Sequence, residues 1–348
     1  MPVSEVPVPN GELFGLDFRR IVREDIPGWA ALIKRIAAAE KPTWFEKEAD
    51  LEHALDSKKN DLSVDSVIGV DTSGMPRVFA RVALNPESTT VYGMGGVDPE
   101  YQGRGIGRGV LEWQRARAAE RINVRGRTSS DSGTPENQSP RLRLYSETAN
   151  TAEQRLFSRA GWKVVRYFNE MNRPISTRND AEENSAAIPR LVLAEGYEIR
   201  PWTAEYDHEM RHVHNAAFAD HWGSEERDEQ SWKFTVEHPL NRRDLSAVVV
   251  EKSNGKVVGY QLASYDPDVL EDFGREEGYT ELLGVVRDHR GRGLAKALLV
   301  DAMQRFAAAG MTTAALDVDS ENPSGALAIY TSMGYSPVKQ SMAWDLEL

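Results

Sequence analysis

The stretch "VRDHRGRGLAKALL", Val286–Leu299, closes a strand-like run and opens a helical pattern. A second stretch, "VDPEYQGRGIGRGVL" at Val97–Leu111, has the same form in the first half of the chain. Each puts glycines in a turn between a strand and a helix. Glycine has no Cβ, so such a turn exposes backbone N–H groups. The helix that follows adds unpaired first-turn donors and the positive end of its dipole. Together they can cradle a phosphate or pyrophosphate. Arg104 and Arg108 supply charge in the first copy, and Arg287, Arg290, Arg292 and Lys296 in the second.

Two better-known glycine signatures fail. Gly-x-Gly-x-x-Gly starting at Gly103 meets Arg108 at its last glycine; starting at Gly105 it meets Val110. A P-loop needs Gly-Lys-Ser/Thr, where this chain has Ala295–Lys296–Ala297. The expected ligand is an anion, but neither a dinucleotide on a Rossmann fold nor a nucleoside triphosphate.

Working outward, both halves follow one plan. "LDFRRIVREDIPGWAALIKRI" (Leu16–Ile36) and "YEIRPWTAEYDHEMRHVHNAAF" (Tyr197–Phe218) each read as strand, polar turn and helix, with Arg23–Asp25 and Thr203 at the helix starts. Two strand-like runs follow in each, "SVIGV" and "RVFARVAL", then "LSAVVVEK" and "KVVGYQLASY". A third strand, "TTVYGMGGV" or "YTELLGVV", leads into the glycine phrase. Leu294, Leu298, Ala302 and Phe306 then recur at helical spacing, with Leu299 and Met303 beside them. Each half closes on a strand, a helix and a glycine–aromatic pair, Gly161–Trp162 and Gly334–Tyr335. "STRNDAEENSAA" reads as a linker and "NVRGRTSSDSGTPENQSP" (Asn123–Pro140) as a surface loop. The expected domains are 1–175 and 189–348, joined by 176–188.

A length of 348 residues suits two domains. The net charge of −12 argues against nucleic acid, which rewards a positive surface. With no cysteine, disulfides, thiolate catalysis and cysteine-bound zinc are all out of reach. No apolar run approaches a membrane span and the first residues carry no signal-peptide pattern, so a cytoplasmic protein is expected.

With these residues in view, the chain resembles the GNAT superfamily of N-acetyltransferases, whose acyl-CoA pyrophosphate loop reads Gln/Arg-x-x-Gly-x-Gly/Ala. Gln102, Gly105 and Gly107 match it in the first copy, and Arg290, Gly293 and Ala295 in the second. "LDVDSENPSGALAIYTSMGYSPV" is similar to the family's next strand and helix. The resemblance covers nearly the whole chain and implies two tandem mixed α/β domains, each a twisted sheet flanked by helices. Among tandem members it is most similar to mycothiol synthase and related actinobacterial acetyltransferases, and "HNAAFADHWGSEERDEQSW" shares in that likeness.

The resemblance also implies roles. Acetyl-CoA would be the cosubstrate and a small-molecule primary amine the acceptor, with no metal, nucleic acid or membrane, in a monomer or homodimer. Leu283 and Val285 would lie along the acetyl group and pantetheine. Arg290, Gly291, Arg292, Gly293, Leu294, Ala295, Lys296 and Asn322 would hold the cofactor. Val97, Gln102, Gly103, Arg104, Gly105, Ile106, Gly107 and Arg108 form the matching set. The acid for the departing thiolate maps to Tyr330. Its counterpart in the first half is Phe157, which has no proton to give, so that half is expected not to catalyse.

For the base, period-two alternation puts Glu281 on the same strand face as Leu283 and Val285. Mycothiol synthase-like proteins carry their glutamate two residues earlier, where this chain has Tyr279; Glu271, Asp272 and Glu276 are alternatives. His221, Trp222 and Trp232 are candidate substrate contacts, and Trp222 and Trp232 also read as ordinary packing residues. Two readings from other classes remain. One is a non-catalytic acyl-CoA sensor. The other is a zinc peptidase built on His208-Glu209-x-x-His212, although Asn215 and Phe218 replace the glycine and third histidine of the longer signature.

Overall fold

The computed structural model describes residues 6–348 except 87, 129–138, 177–186 and 323–324. In chain order the first half contains β1 (Asp17–Arg19), α1 (Ile26–Glu40), α2 (Glu48–Leu55), α3 (Leu62–Asp65), β2 (Ser66–Val70), β3 (Pro76–Ala83) and β4 (Thr90–Val97). Then come α4 (Ile106–Thr128), β5 (Arg141–Glu147), α5 (Thr151–Arg159) and β6 (Lys163–Pro174). The second half repeats the order except that its third helix falls between strands: β7 (Tyr197–Pro201), α6 (Asp207–Phe218), α7 (Glu229–Glu237), β8 (Ala247–Glu251), β9 (Val257–Ser264), α8 (Pro267–Phe273) and β10 (Glu277–Val285). It ends with α9 (Leu294–Ala308), β11 (Thr313–Asp319), α10 (Ala326–Ser332) and β12 (Ser336–Glu347).

The chain forms two compact units, and they do not follow its simple halving. One holds Met1–Tyr167 and Ser341–Leu348; the other holds Phe168–Gln340. In the first unit, β1 to β4 pair in antiparallel succession, and β5 lies parallel to β4. The end of β12 completes this sheet, with Ser341 opposite Glu147 and Glu347 opposite Arg141. In the second, β7 to β10 pair antiparallel, β11 is parallel to β10, and Phe168–Pro174 of β6 pairs with β11. Each half thus sends its last strand to complete the other unit's sheet, so these units differ from the domains expected at 1–175 and 189–348. Alternation shows that a strand exists, but not which edge its backbone groups will join.

Helix α9 shows why the sheets hold. Its stripe of Leu294, Leu298, Ala302 and Phe306 is buried as expected, and Leu299, Val300 and Met303 widen it. Burying each large side chain contributes about 1.5–3 kcal/mol. Gly278 lies under Phe306, where a Cβ would come within 2.4 Å of the ring, so β10 needs glycine there. The expected loop at 123–140 begins later than its composition suggests, because α4 continues to Thr128. Its remainder at 129–138, and most of the expected linker at 176–188, lie outside the described residues. Among the described residues, no helix is long and apolar enough to cross a membrane.

Candidate active sites

In both units the parallel strands run side by side only briefly. β4 and β5 are paired from Thr90–Arg141 to Tyr92–Arg143, and β10 and β11 from Glu277–Thr313 to Thr280–Leu316. Beyond these pairs the two strands part, each keeping its antiparallel neighbour on the other edge, so a cleft opens in the sheet directly before the glycine phrase.

The two phrases have the same local geometry. Gly103 and Gly105 have φ of +75° and +89°, and Gly291 and Gly293 have +75° and +77°. L side chains rarely adopt such angles. A Cβ at any of the four would meet nothing within 4 Å, so the backbone is open to a ligand. Gln102 Nε2 donates to the Val97 carbonyl (3.2 Å), and Arg290 Nε to the Val285 carbonyl (3.0 Å). Arg104 donates to the Glu100 carbonyl and stacks over Tyr101; Arg292 donates to the Asp288 carbonyl and to the Tyr197 hydroxyl. These side chains shape the loop, while Arg108 and Lys296, on the first helical turns, are exposed. Ile106, Leu294 and Val285 are buried in the core.

In the second unit, Leu283 packs against α9, and Gln261 is its partner across the ladder. Gln261 is fully buried, and neither polar atom of its side chain has a hydrogen-bond partner among the described residues. Such a group costs about 1–3 kcal/mol when left bare. Tyr330, on α10, is 9% exposed, and burial pushes its hydroxyl up to about 12. It remains a proton donor throughout the neutral range. Asn322 lies in the turn before α10, where its carbonyl accepts from Gly325 N–H.

The alternation expected along β10 does not hold. A β-bulge separates Thr280, opposite Ala263, from Leu282, opposite Leu262, and Glu281 has no partner on β9. An extra residue shifts the pleat by one. Leu283 and Val285 pack on the α9 side. The Glu281 carboxylate instead accepts from Ser264 Oγ (3.2 Å), on the face that carries Tyr260 and Leu262. Burial lowers the Arg227 guanidinium below its ordinary range, while Tyr260 and Glu281 pull it back up. The Tyr279 hydroxyl bonds to Asp317, and burial raises it well above the usual phenol range. Of these neighbours, Ser264, Arg227 and Asp317 were not visible in the pattern, because the bulge and the parallel pairing bring them together.

The remaining candidates divide. His221 Nδ1 contacts the Trp222 carbonyl, and the Trp222 ring meets Phe168; both residues are half-buried. Trp232 is a core residue whose indole N–H donates to the Asp207 carbonyl. Glu276 accepts from the Tyr265 hydroxyl, Glu271 is exposed on α8, and the side chain of Asp272 is outside the described set. His208 and His212 stand on the exposed face of α6, and Glu209 accepts from the Val257 N–H. Among the described residues, no group of three or more His, Asp or Glu is placed to hold a metal ion.

In the first unit the cleft widens into a cavity of about 780 Å³, lined by Gly93–Val97, the phrase from Gln102 to Arg108 and the end of β5 that parts from β4. Its β4 carries no bulge: Val78–Ala83 pair without a break to Val97–Tyr92. Phe157 lines this cavity and packs on Trp162 and Trp344. Glu40, Glu147 and Glu153 line it too, and sequence patterns did not single them out.

Residues 207–335 match the acetyltransferase (GNAT) family. The solved structure of a GCN5-related N-acetyltransferase from Sphaerobacter thermophilus superposes with a TM-score of 0.68 at 21% identity, covering 96% of each chain. A tandem GNAT protein from the clavulanic acid biosynthesis pathway superposes with 0.64 at 15% identity, covering 95% of this chain and 98% of that one. Residues 207–335 are thus similar to the GNAT family, and over its length the chain has the fold of these two structures. Among curated relatives, the mycothiol acetyltransferase of Kocuria rhizophila is 29% identical over 194 residues, 53% of this chain and 58% of that protein. That of Streptomyces coelicolor is 24% identical over 204 residues, 56% of this chain and 58% of that protein. The matches thus span less than two thirds of these relatives' own length.

Proposed function

We propose that this chain is an acetyl-CoA-dependent N-acetyltransferase whose second unit transfers acetyl to a primary amine of a small molecule. One observation carries the reading most directly. The glycine cradle of Gly291 and Gly293 follows directly on the strand bearing Leu283, and Leu283 packs against the core cluster that contains Tyr330 of α10. The family match over 207–335 supports it.

Acetyl-CoA, when bound, supplies an acetyl group activated as a thioester. Its pyrophosphate suits the N–H groups at Gly291–Ala295 and the charge of Lys296. Glu281 serves as base: its carboxylate is exposed at the bulge, fixed by Ser264, and can take the proton of an incoming ammonium. Tyr330 donates to the departing thiolate. The bulge frees backbone N–H groups on β10 that can face a developing oxyanion. The names of the relatives suggest an acceptor of the mycothiol precursor type, an aminoacylated amino sugar, for which His221 and Trp222 are candidate contacts. Val97, Gln102–Arg108 and the cavity beside them form a second acyl-CoA cradle.

The test is Tyr330→Phe. Titration calorimetry should show unchanged acetyl-CoA affinity while kcat on the amine falls by about a hundredfold. A sensor would bind acetyl-CoA equally well and release no CoA from either protein.

A further inference from the structure

We propose that the cavity of the first unit is a second acyl-transfer site, in which Glu153 gives the proton that Phe157 cannot. The inference rests on the acyl-CoA reading of the glycine cradles and sets aside the expectation that this half does not catalyse.

The cavity combines the parts a transfer needs. One wall is the end of β4, parted from β5 but still paired to β3 on its other edge, and the glycine phrase, with Gly103 and Gly105 open to a ligand. The other is the end of α1 and the loop after it, where Ile33, Ala37, Trp44 and Phe45 make an apolar surface. Glu153 lies one helical turn before Phe157 on α5, so the two side chains share a helix face, and both line the cavity. The position that lost its phenol therefore has a carboxyl beside it.

That carboxyl is held in place and held protonated. Asn150 Nδ2 donates to Glu153 Oε2 (3.3 Å). Burial, and then the charges of Glu40 on α1 and Glu147 on β5, push Glu153 up to about 8. Tyr92 on β4, Tyr145 on β5 and Arg108 on α4 also face this cavity. Glu147 accepts from the Thr43 N–H (2.8 Å) and hydroxyl (3.0 Å). Glu40 accepts from Gln102 Nε2 (2.9 Å), which ties it to the glycine phrase. Burial raises Glu40 as well, so it is a better base than a solvated carboxylate. Carboxylates whose surroundings divide them into acid and base are a recurring device for running both steps at neutral pH.

The acceptor is a primary amine with an apolar body: the carboxylates recognise its ammonium, and Trp44 and Phe45 its body. Glu40 takes one ammonium proton. The nitrogen lone pair attacks the thioester carbon, the C–N bond forms and the C–S bond breaks. The thiolate takes the proton of Glu153, the second nitrogen proton restores Glu153, and the proton on Glu40 leaves to water. The products are the amide, the free thiol of CoA and one proton.

The experiment uses the full chain carrying Tyr330→Phe, with acetyl-CoA and 2-phenylethylamine as probes. Release of CoA thiol is read with a thiol reagent, to which a chain without cysteine contributes no background. Amine-dependent release should persist in this variant, decline as pH rises through about 8, and fall at least tenfold when Glu153→Gln is added. Calorimetry should still count two acetyl-CoA sites per chain, and Phe157→Tyr should restore release to the double variant, which separates lost chemistry from lost folding. No amine-dependent release, or equal release with and without Glu153→Gln, overturns the inference while leaving the second unit's activity standing. Absence of acetyl-CoA binding to the unmodified chain overturns both.

Discussion

The two glycine phrases differ little in the backbone that could hold a ligand and greatly where they could act on one. Gln102 and Arg290 tie the same strand carbonyl, Arg104 and Arg292 fold back on the same loop carbonyl, and the paired glycines take the same left-handed angles. One turn further on, similarity ends. The second unit has a bulge at Glu281 and a tyrosine at 330; the first has an unbroken β4 and a phenylalanine at 157. A cradle built from backbone N–H groups needs only glycine and a helix start, so it survives side-chain drift. Acid and base need specific groups at specific depths, and one substitution removes them.

Several measurements would break or sharpen this comparison. The largest expected effect is Tyr330→Phe, about a hundredfold in kcat on an acceptor of the second unit with acetyl-CoA affinity unchanged. Since burial holds Tyr330 near 12, no alkaline loss of this activity should come from that phenol below pH 11. An equal fall in binding would make Tyr330 a packing residue. Glu281→Gln should lower kcat/KM by tenfold or more and leave the melting temperature in place, because its carboxylate is exposed. A drop in melting temperature without a kinetic effect would assign Glu281 to structure.

Smaller, and symmetrical, is the pair Gly105→Val and Gly293→Val. A β-branched residue at positive φ costs on the order of 1–2 kcal/mol, so each should weaken one acetyl-CoA site about tenfold and spare the other. If both variants weaken the same site, the two cradles are not independent. The smallest is Phe157→Tyr in the unmodified chain, where amine-dependent CoA release should rise severalfold with 2-phenylethylamine and not with an amino sugar. A melting temperature lowered with no gain would show that the Trp162–Trp344 packing has no room for the hydroxyl.

Much of the frame was legible in the sequence. The strand–turn–helix repeats, the turn glycines and the α9 stripe all rest on local rules, periods of 2 and 3.6 and the φ freedom of glycine, which need no knowledge of distant contacts. Tyr330 was singled out by the family resemblance, and Phe157 by aligning Gly161–Trp162 with Gly334–Tyr335. What local rules could not supply depended on pairing. Alternation placed Glu281 beside Leu283, and a one-residue bulge moved it to the opposite face, against Ser264. Which sheet receives each terminal strand is decided by edges far apart in sequence, so the units exchange Phe168–Pro174 and Ser341–Glu347 against the order of the chain. The carboxylates at 40, 147 and 153 stand on a helix end, a strand end and a helix start. Sequence alone shows three ordinary surface residues; the parting of β4 from β5 and the desolvation it brings make them neighbours in one cavity.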